Sequence, residues 1–458
     1  MDNNKATLEL GTKPVGRLLM QYAMPAIIAM TAASLYNMVD SIFIGQGVGP
    51  MAISGLALTF PFMNLGAAFG AAVGVGASTC ISVKLGQKDY STAQHILGNT
   101  VTLNLIVGIL FSVFSLLFLD DILYFFGASP QTIPYARDYM VVILLGNVFS
   151  HMYFGMNAVL RASGKPRQAM YATMFTVVMN TILDPLFIYV FDMGIRGAAF
   201  ATILSQLMAL TWQMRLFSDR NELLHLRRGI YRPVGMIVRN IIGIGMSPFL
   251  MNVCACVVVI FINKGLLAYG GDLAVGAYGI VNRVAFVFVM IVMGINQGMQ
   301  PIAGYNYGAQ QTERLMRVVK LAMMAATAVT TAGFVIAEAI PGQCARLFTA
   351  DSELISLSAH GMRIVMFTFP IIGYQMVVTN FFQSIGRARV SIFLSLSRQM
   401  LFLLPMLIIL PPAMGVNGVW LSMPVADTVA SVVTAIIMVK YVRKTHSNPP
   451  EGRESEMP

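Results

Sequence analysis

The stretch VVMNTILDPLF, residues 177–187, sets an aspartate, Asp184, and a helix breaker, Pro185, inside an otherwise apolar run, with Asn180 four residues earlier. What they do there depends on what surrounds the run, and the composition decides that. Of the 458 residues, 57% are hydrophobic and 11% are charged, whereas a soluble globular chain carries about 25% charged residues. The chain reads as a polytopic membrane protein with room for roughly a dozen helices of about 20 residues each. Its apolar runs do not alternate with polar residues as the strands of a transmembrane barrel do, so the fold is all-α. The first apolar run outlasts a signal-peptide core and is expected to remain as a span.

Thirty Lys and Arg against twenty Asp and Glu give a net charge of +10. Nucleic acid is not the expected partner, because basic residues collect in the cytoplasmic loops of membrane proteins. Cys254 and Cys256 lie in an apolar run without a nearby His or Cys, so no metal site is expected there. Cys80 and Cys344 read as small packing residues. The polar tail, 446–458, has the composition of a disordered segment.

Apolar runs between charges place twelve spans, near 15–43, 54–83, 94–119, 134–160, 168–191, 195–217, 236–262, 273–305, 315–340, 358–384, 390–412 and 416–440. An even number puts both termini on one side. Twenty-four of the thirty basic residues fall on the loops and ends of that side; the other side has Arg137, Arg196, Lys264, Arg346 and Arg363, and Arg283 falls inside a span. The bias makes both termini cytoplasmic.

The halves repeat. A shift of 222 lays Arg17 on Arg239, Ala52 on Ala274, Gly76 on Gly298, Gly86 on Gly308 and Met140 on Met362, and it lays GKPR (164–167) on GRAR (386–389). Six helices separate the copies, so both run the same way across the membrane. This predicts two parallel six-helix lobes related by a pseudo-two-fold axis along the membrane normal, with substrate between them. The N-lobe is expected over 1–217, a cytoplasmic linker over 218–235 and the C-lobe over 236–445. No Walker-type GxxxxGK[ST], HExxH or GxSxG stands in a usable context, so the chain does not read as an ATPase or an intramembrane hydrolase. Transport would draw on an ion gradient.

Five segments carry a family resemblance: YNMVDSIFIG (36–45), KLGQKDYSTA (84–93), RASGKPR (161–167), NTILDPLF (180–187) and GINQGMQPIAGYNYGA (294–309). In this order, within a twelve-helix double repeat, they resemble the multidrug and toxic compound extrusion (MATE) transporters, in the prokaryotic branch that contains the MepA-like and DinF-like exporters. The resemblance runs from about residue 10 to about residue 445. It implies antiport of drugs against H⁺ or Na⁺ by rocking of two lobes, with the ion handled in the N-lobe by Asp40, Asn180, Asp184 and Thr202.

The residues themselves point to the same place. Asp40 lies 23 residues past Arg17, roughly 35 Å along its helix, and Asp184 lies 17 past Arg167, about 25 Å along its own. Thr202 is five residues past Gly197, on a helix that starts outside. Three helices thus bring polar groups to similar depth, and Asn180 and Asp184, at i and i+4, share a face. Pro185 cannot donate to the carbonyl of residue 181. That carbonyl, two carboxylates, an amide and a hydroxyl form a hard-oxygen set suited to Na⁺ or to a shared proton. An Asn or Thr alone would read as hydrogen-bonding glue between helices, but an Asp inside a span is costly and marks function. In the second repeat the equivalent positions are Ile262 and Phe402, Met406 or Pro405, and Met423 or Pro424, so the cluster belongs to one lobe only.

Other intruders are weaker. Tyr36, Asn37 and Met38 are candidates to line a cavity near Asp40. His151 could relay protons, although a packing histidine is the plainer reading. Arg283 could meet substrate or line the water cavity, with Asp427 a candidate partner. Gly66, Gly70 and Gly74 form a close-packing face. The chain is therefore expected to be a multi-pass transporter of the prokaryotic cytoplasmic (inner) membrane, not an enzyme. It would export organic, cationic, amphipathic compounds in exchange for H⁺ or Na⁺, and Asp40, Asn180, Asp184 and Thr202 would be the ligands if the ion is Na⁺. No other cofactor and no obligate protein partner are expected beyond membrane lipid. The alternative is a flippase for a lipid or a lipid-linked oligosaccharide.

The topology can be tested in a cysteine-free background. An impermeant thiol reagent on intact cells should label Val48→Cys, and it should label His225→Cys only after permeabilisation. Labelling of position 225 in intact cells would invert the orientation.

Overall fold

Every regular element among the described residues is helical. The computed structural model describes residues 5–48, 50–126 and 128–447; the tail from 448 onward lies outside them. Twelve long helices follow in chain order. The first six are α1 (Val15–Gly47), α2 (Pro50–Gly86), α3 (Tyr90–Leu117), α4 (Ile133–Ala162), α5 (Pro166–Val190) and α6 (Gly194–Ser218). The second six are α7 (235–270), α8 (272–308), α9 (Thr312–Ala339), α10 (Ser352–Met366 with Phe369–Ser384), α11 (Ala388–Met414) and α12 (Val416–Ser447). Short helices at Lys5–Thr12, Leu119–Phe125 and Pro341–Arg346 precede or join them.

Where the boundaries depart from the sequence pattern, the reason is local. The apolar pattern places a loop at 263–272, but helix continues through Lys264, and α7 passes to α8 at Gly271 alone, with φ 66° and ψ −167°. Only glycine adopts that conformation without strain. Helix α10 begins at Ser352, earlier than the apolar run, because Asp351 caps it by accepting from the Leu354 amide at 2.8 Å. It then bends by 52° between Met366 and Phe369. Pro370 has no N–H to offer the Met366 carbonyl, which removes a rung of the ladder at the bend. Helix α5 keeps α geometry to Pro185 and widens into a π turn over Leu186–Val190, closed by Phe191 N donating to the Leu186 carbonyl at 3.0 Å. A second π turn, Ser397–Leu403, lies within α11 and contains Arg398. Arg398, counted above with the cytoplasmic loops, therefore sits inside a span.

The chain forms two compact units. One comprises Ile28–Phe249 with Gly304–Ala309 and the N-terminal residues through Lys13; the other comprises Pro14–Ile27, Leu250–Ala303 and the residues from Gln310 onward. In the first unit α2 packs along α3 and α4 through the expected glycine face. A Cβ at Gly66 would come within 3.2 Å of Phe111, at Gly70 within 3.1 Å of His151, and at Gly74 within 3.3 Å of Gly155 and Ala158. Gly76 meets the Ile241 backbone. In the second unit Gly298, its equivalent in the repeat, meets the Ala23 backbone. That unit's core gathers Trp420, Phe369, Met362 and Met366 with apolar residues of α7 and α8.

The stretch between α6 and α7 is fastened to α3. The Asn99 amide donates to the carbonyls of Ile230 at 3.3 Å and Arg232 at 3.1 Å, and its oxygen accepts from Val234 N at 2.8 Å. Gln94 holds both backbone groups of His225. Thr102 donates to the Tyr231 carbonyl at 2.7 Å, and Lys165 pairs with Glu222 at 2.6 Å. Asn99→Ala removes three bonds to one strand of backbone, each worth about 1 kcal/mol. We expect limited trypsinolysis at Arg227 and Arg228 to accelerate by at least about tenfold, since cleavage tracks the open population. An unchanged rate would show that Asn99 does not hold the segment.

Candidate functional site

Asp40 on α1, Asn180 and Asp184 on α5 and Thr202 on α6 all belong to the first unit, and all four are buried. The structure brings them together. Asn180 and Asp184 lie one turn apart on α5, so the Asn180 amide nitrogen reaches the Asp184 carboxylate (3.1 Å to Oδ1) and, across to α6, the Thr202 hydroxyl (3.5 Å). Tyr36, one turn before Asp40 on α1, places its hydroxyl 3.3 Å from the same Thr202 oxygen. The Asp40 and Asp184 carboxyls are neighbours in this cluster.

The electrostatics follow from what is missing. Asp40 Oδ1, Asn180 Oδ1 and Asp184 Oδ2 are buried and receive no hydrogen bond. None of the ion pairs among the described residues involves Asp40 or Asp184. Buried acceptors without donors are costly, and in native proteins they need an explanation. Three oxygens from an amide and two carboxylates, with a threonine hydroxyl beside them, fit a hard cation. Two facing carboxyls fit a proton equally well, because they can share a hydrogen bond only when one is protonated. Among the described residues no group of three His, Cys, Asp or Glu forms, so the donor set does not suit a soft transition metal.

The remaining candidates are dispersed. Tyr36 joins the cluster; the side chains of Asn37 and Met38 lie outside the described residues. His151 is fully buried in the α2–α4 packing face, where Nε2 donates to the Gly66 carbonyl at 2.9 Å and the ring lies 6.1 Å from that of Phe111. Arg283 is exposed on α8, with its guanidinium 6.0 Å from the centroid of the Phe348 ring. Asp427 is not its partner. That carboxylate accepts from Arg398 Nε at 2.6 Å, inside the second unit.

One residue near the cluster escaped the sequence reading. Tyr139 on α4 is buried beside Tyr36, Asp40, Asp184 and Thr202. It lies two turns into α4, near a helix end, where a tyrosine reads as an interfacial anchor; only the packing of α4 on α6 reveals its neighbours.

Comparison with known proteins agrees with this architecture. The chain is 28% identical over 422 residues to the multidrug export protein MepA of Staphylococcus haemolyticus strain JCSC1435, covering 92% of this chain and 93% of that one. It is 26% identical over 425 residues to MepA of Staphylococcus aureus strain MSSA476, covering 93% and 94%. A solved structure described as the outward-facing conformation of a multidrug resistance MATE family transporter of the MOP superfamily superposes with a TM-score of 0.90 at 24% identity, over 97% of this chain and 99% of that one. The MatE family model matches residues 25–186 and 244–409, most of both halves. The chain belongs to the MatE family of multi-pass membrane transporters.

Proposed function

We propose that this chain is a cation-coupled antiporter that exports organic, cationic, amphipathic compounds across a prokaryotic cytoplasmic membrane, with both termini in the cytoplasm. The observation that carries the coupling is the buried oxygen cluster of Asp40, Asn180, Asp184 and Thr202, with three acceptors that no protein donor satisfies. Membership of the MatE family and likeness to proteins named as multidrug exporters support the cargo class.

The proposed cycle is a competition. H⁺ or Na⁺ enters from outside, where its electrochemical potential is higher, and binds between Asp40 and Asp184. Asn180 holds the Asp184 carboxylate in place, and Thr202, held in turn by Tyr36, supplies a hydroxyl. Binding draws α1 toward α5 and α6 and disfavours the organic cation. Release of the ion to the inside restores two uncompensated carboxylates, which attract the next cationic substrate, and alternating access then carries it out. The π turn beside Asp184 supplies local slack for such a change, since π turns are frequent at functional sites. An anionic lipid-linked substrate would meet two carboxylates here, which favours the exporter reading over the flippase alternative.

Dye efflux from inverted vesicles, with ΔpH and ΔNa⁺ imposed separately, tests the reading and selects the ion. Asp184→Asn and Asp40→Asn should each reach the membrane at normal levels and lose efflux by about tenfold or more, the scale of one strong interaction of 1.4 kcal/mol or greater. Thr202→Val should lose less. If Na⁺ is the ion, its affinity should fall as pH drops, because protons and Na⁺ compete for the same carboxylates. Full efflux in both aspartate variants would remove the cluster from the coupling mechanism.

A further inference from the structure

The bend in α10 opens a groove against α12, wholly within the second unit and with a volume of about 540 Å³. That is within the ~300–1,000 Å³ range of small-molecule sites. Phe367, Pro424, Val425 and Val429 give it an apolar lining, and Phe367, Val425 and Val429 are themselves exposed. Both flanking helices are long and apolar enough to cross a membrane, and the exposed apolar side chains of the groove suit an acyl chain.

Apolar lining alone would not hold one lipid in preference to another, since lipid tails are as apolar as the side chains they would displace. Two polar groups make this groove different. Arg363 stands at its rim, exposed, and forms no ion pair among the described residues. Thr368 lies five residues further on, roughly 7.5 Å along the helix. It is 7% exposed, and its buried hydroxyl has no hydrogen-bond partner. Elsewhere in the spans, Thr100, Thr176, Thr181, Thr428 and Thr434 each donate to the carbonyl four residues earlier. Thr368 cannot do so, because the helix bends between it and Ile364, whose carbonyl instead accepts from Phe367 N at 3.4 Å.

We propose that this groove binds one anionic glycerophospholipid. Arg363 takes the phosphate of the headgroup, Thr368 donates its hydroxyl to an ester carbonyl on the chain side of that phosphate, and an acyl chain follows Phe367, Pro424 and Val425 toward Val429. The order of the polar groups matches the ligand: the cation lies nearer the end from which α10 enters and α12 begins, and the lone hydroxyl lies deeper. On the topology inferred above, that end faces the outer leaflet.

The chain has two tryptophans, Trp212 and Trp420. Trp420 is fully buried, follows directly on α12 before the groove residue Leu421, and lies against Gly361. In a Trp212→Phe background it reports on the groove. The full chain would be reconstituted in phosphatidylcholine vesicles containing chain-brominated phosphatidylglycerol or, separately, chain-brominated phosphatidylcholine. Phosphatidylglycerol should quench Trp420 with about fivefold higher apparent affinity, the ~1 kcal/mol of one basic side chain at an anionic lipid converted at 1.4 kcal/mol per tenfold. Arg363→Gln should abolish the preference, Arg363→Lys should keep it, and Thr368→Val should weaken it. Arg346→Gln, at an exposed arginine outside the groove, should leave it intact. Equal quenching by the two lipids, no quenching by either (as when a second copy or another protein covers the groove), or equal loss in Arg346→Gln would each overturn the proposal.

Discussion

A chain that crosses hydrocarbon must satisfy each of its backbone N–H and C=O groups from within, because no water is there to do it. This constraint makes the spans helical and makes every lapse in their helical ladder informative. The lapses are few, and polar chemistry gathers at them. Pro185 and the π turn over Leu186–Val190 adjoin Asp184. The π turn Ser397–Leu403 carries Arg398 to the Asp427 carboxylate. The bend ahead of Pro370 leaves Thr368 with a hydroxyl that its own helix cannot use. Gly271 is the exception: it serves only to turn the chain, and a residue with no side chain suffices.

The two units treat a buried acid in opposite ways. In the second unit, Asp427 is matched by a guanidinium 2.6 Å away, which closes the site to any other cation. In the first, Asp40 and Asp184 face each other with an amide and hydroxyls for company and with oxygens left over. Breaking a buried ion pair leaves an uncompensated charge and is strongly unfavourable, so the Arg398–Asp427 pair behaves as fixed structure. A carboxyl pair without a fixed cation can exchange what neutralises it, which is what the proposed coupling would require.

Much of this was legible in the sequence. Twelve spans followed from composition and apolar runs, because hydrocarbon thickness sets helix length. The cluster at 40, 180, 184 and 202 was legible because acids are rare inside spans, and helix rise places them at similar depth. What escaped involved partners from other helices or the exact place where a helix stops. Tyr139 looks like any tyrosine near a helix end until α4 is packed against α6. Arg398 was counted with the loops although it lies within an apolar run, since no periodicity shows that Asp427 would meet it. The fastening of 219–234 depended on Asn99 and Gln94 in α3, more than a hundred residues away in sequence, and the bend in α10 could not be located from Pro370 alone.

The glycine face of α2 ties the fate of one position to another. The ring of His151 fills the space that a methyl group at residue 70 would need, and its Nε2 is tied to the carbonyl of Gly66. Gly70 and His151 are thus coupled: alanine at 70 would press on both the imidazole and the Cα of residue 151, and a smaller residue at 151 would remove the ring contact but keep the backbone one, while leaving the Gly66 carbonyl without its donor. Changes at the two contacting sites should be non-additive, and the backbone contact keeps position 70 small whatever side chain stands at 151.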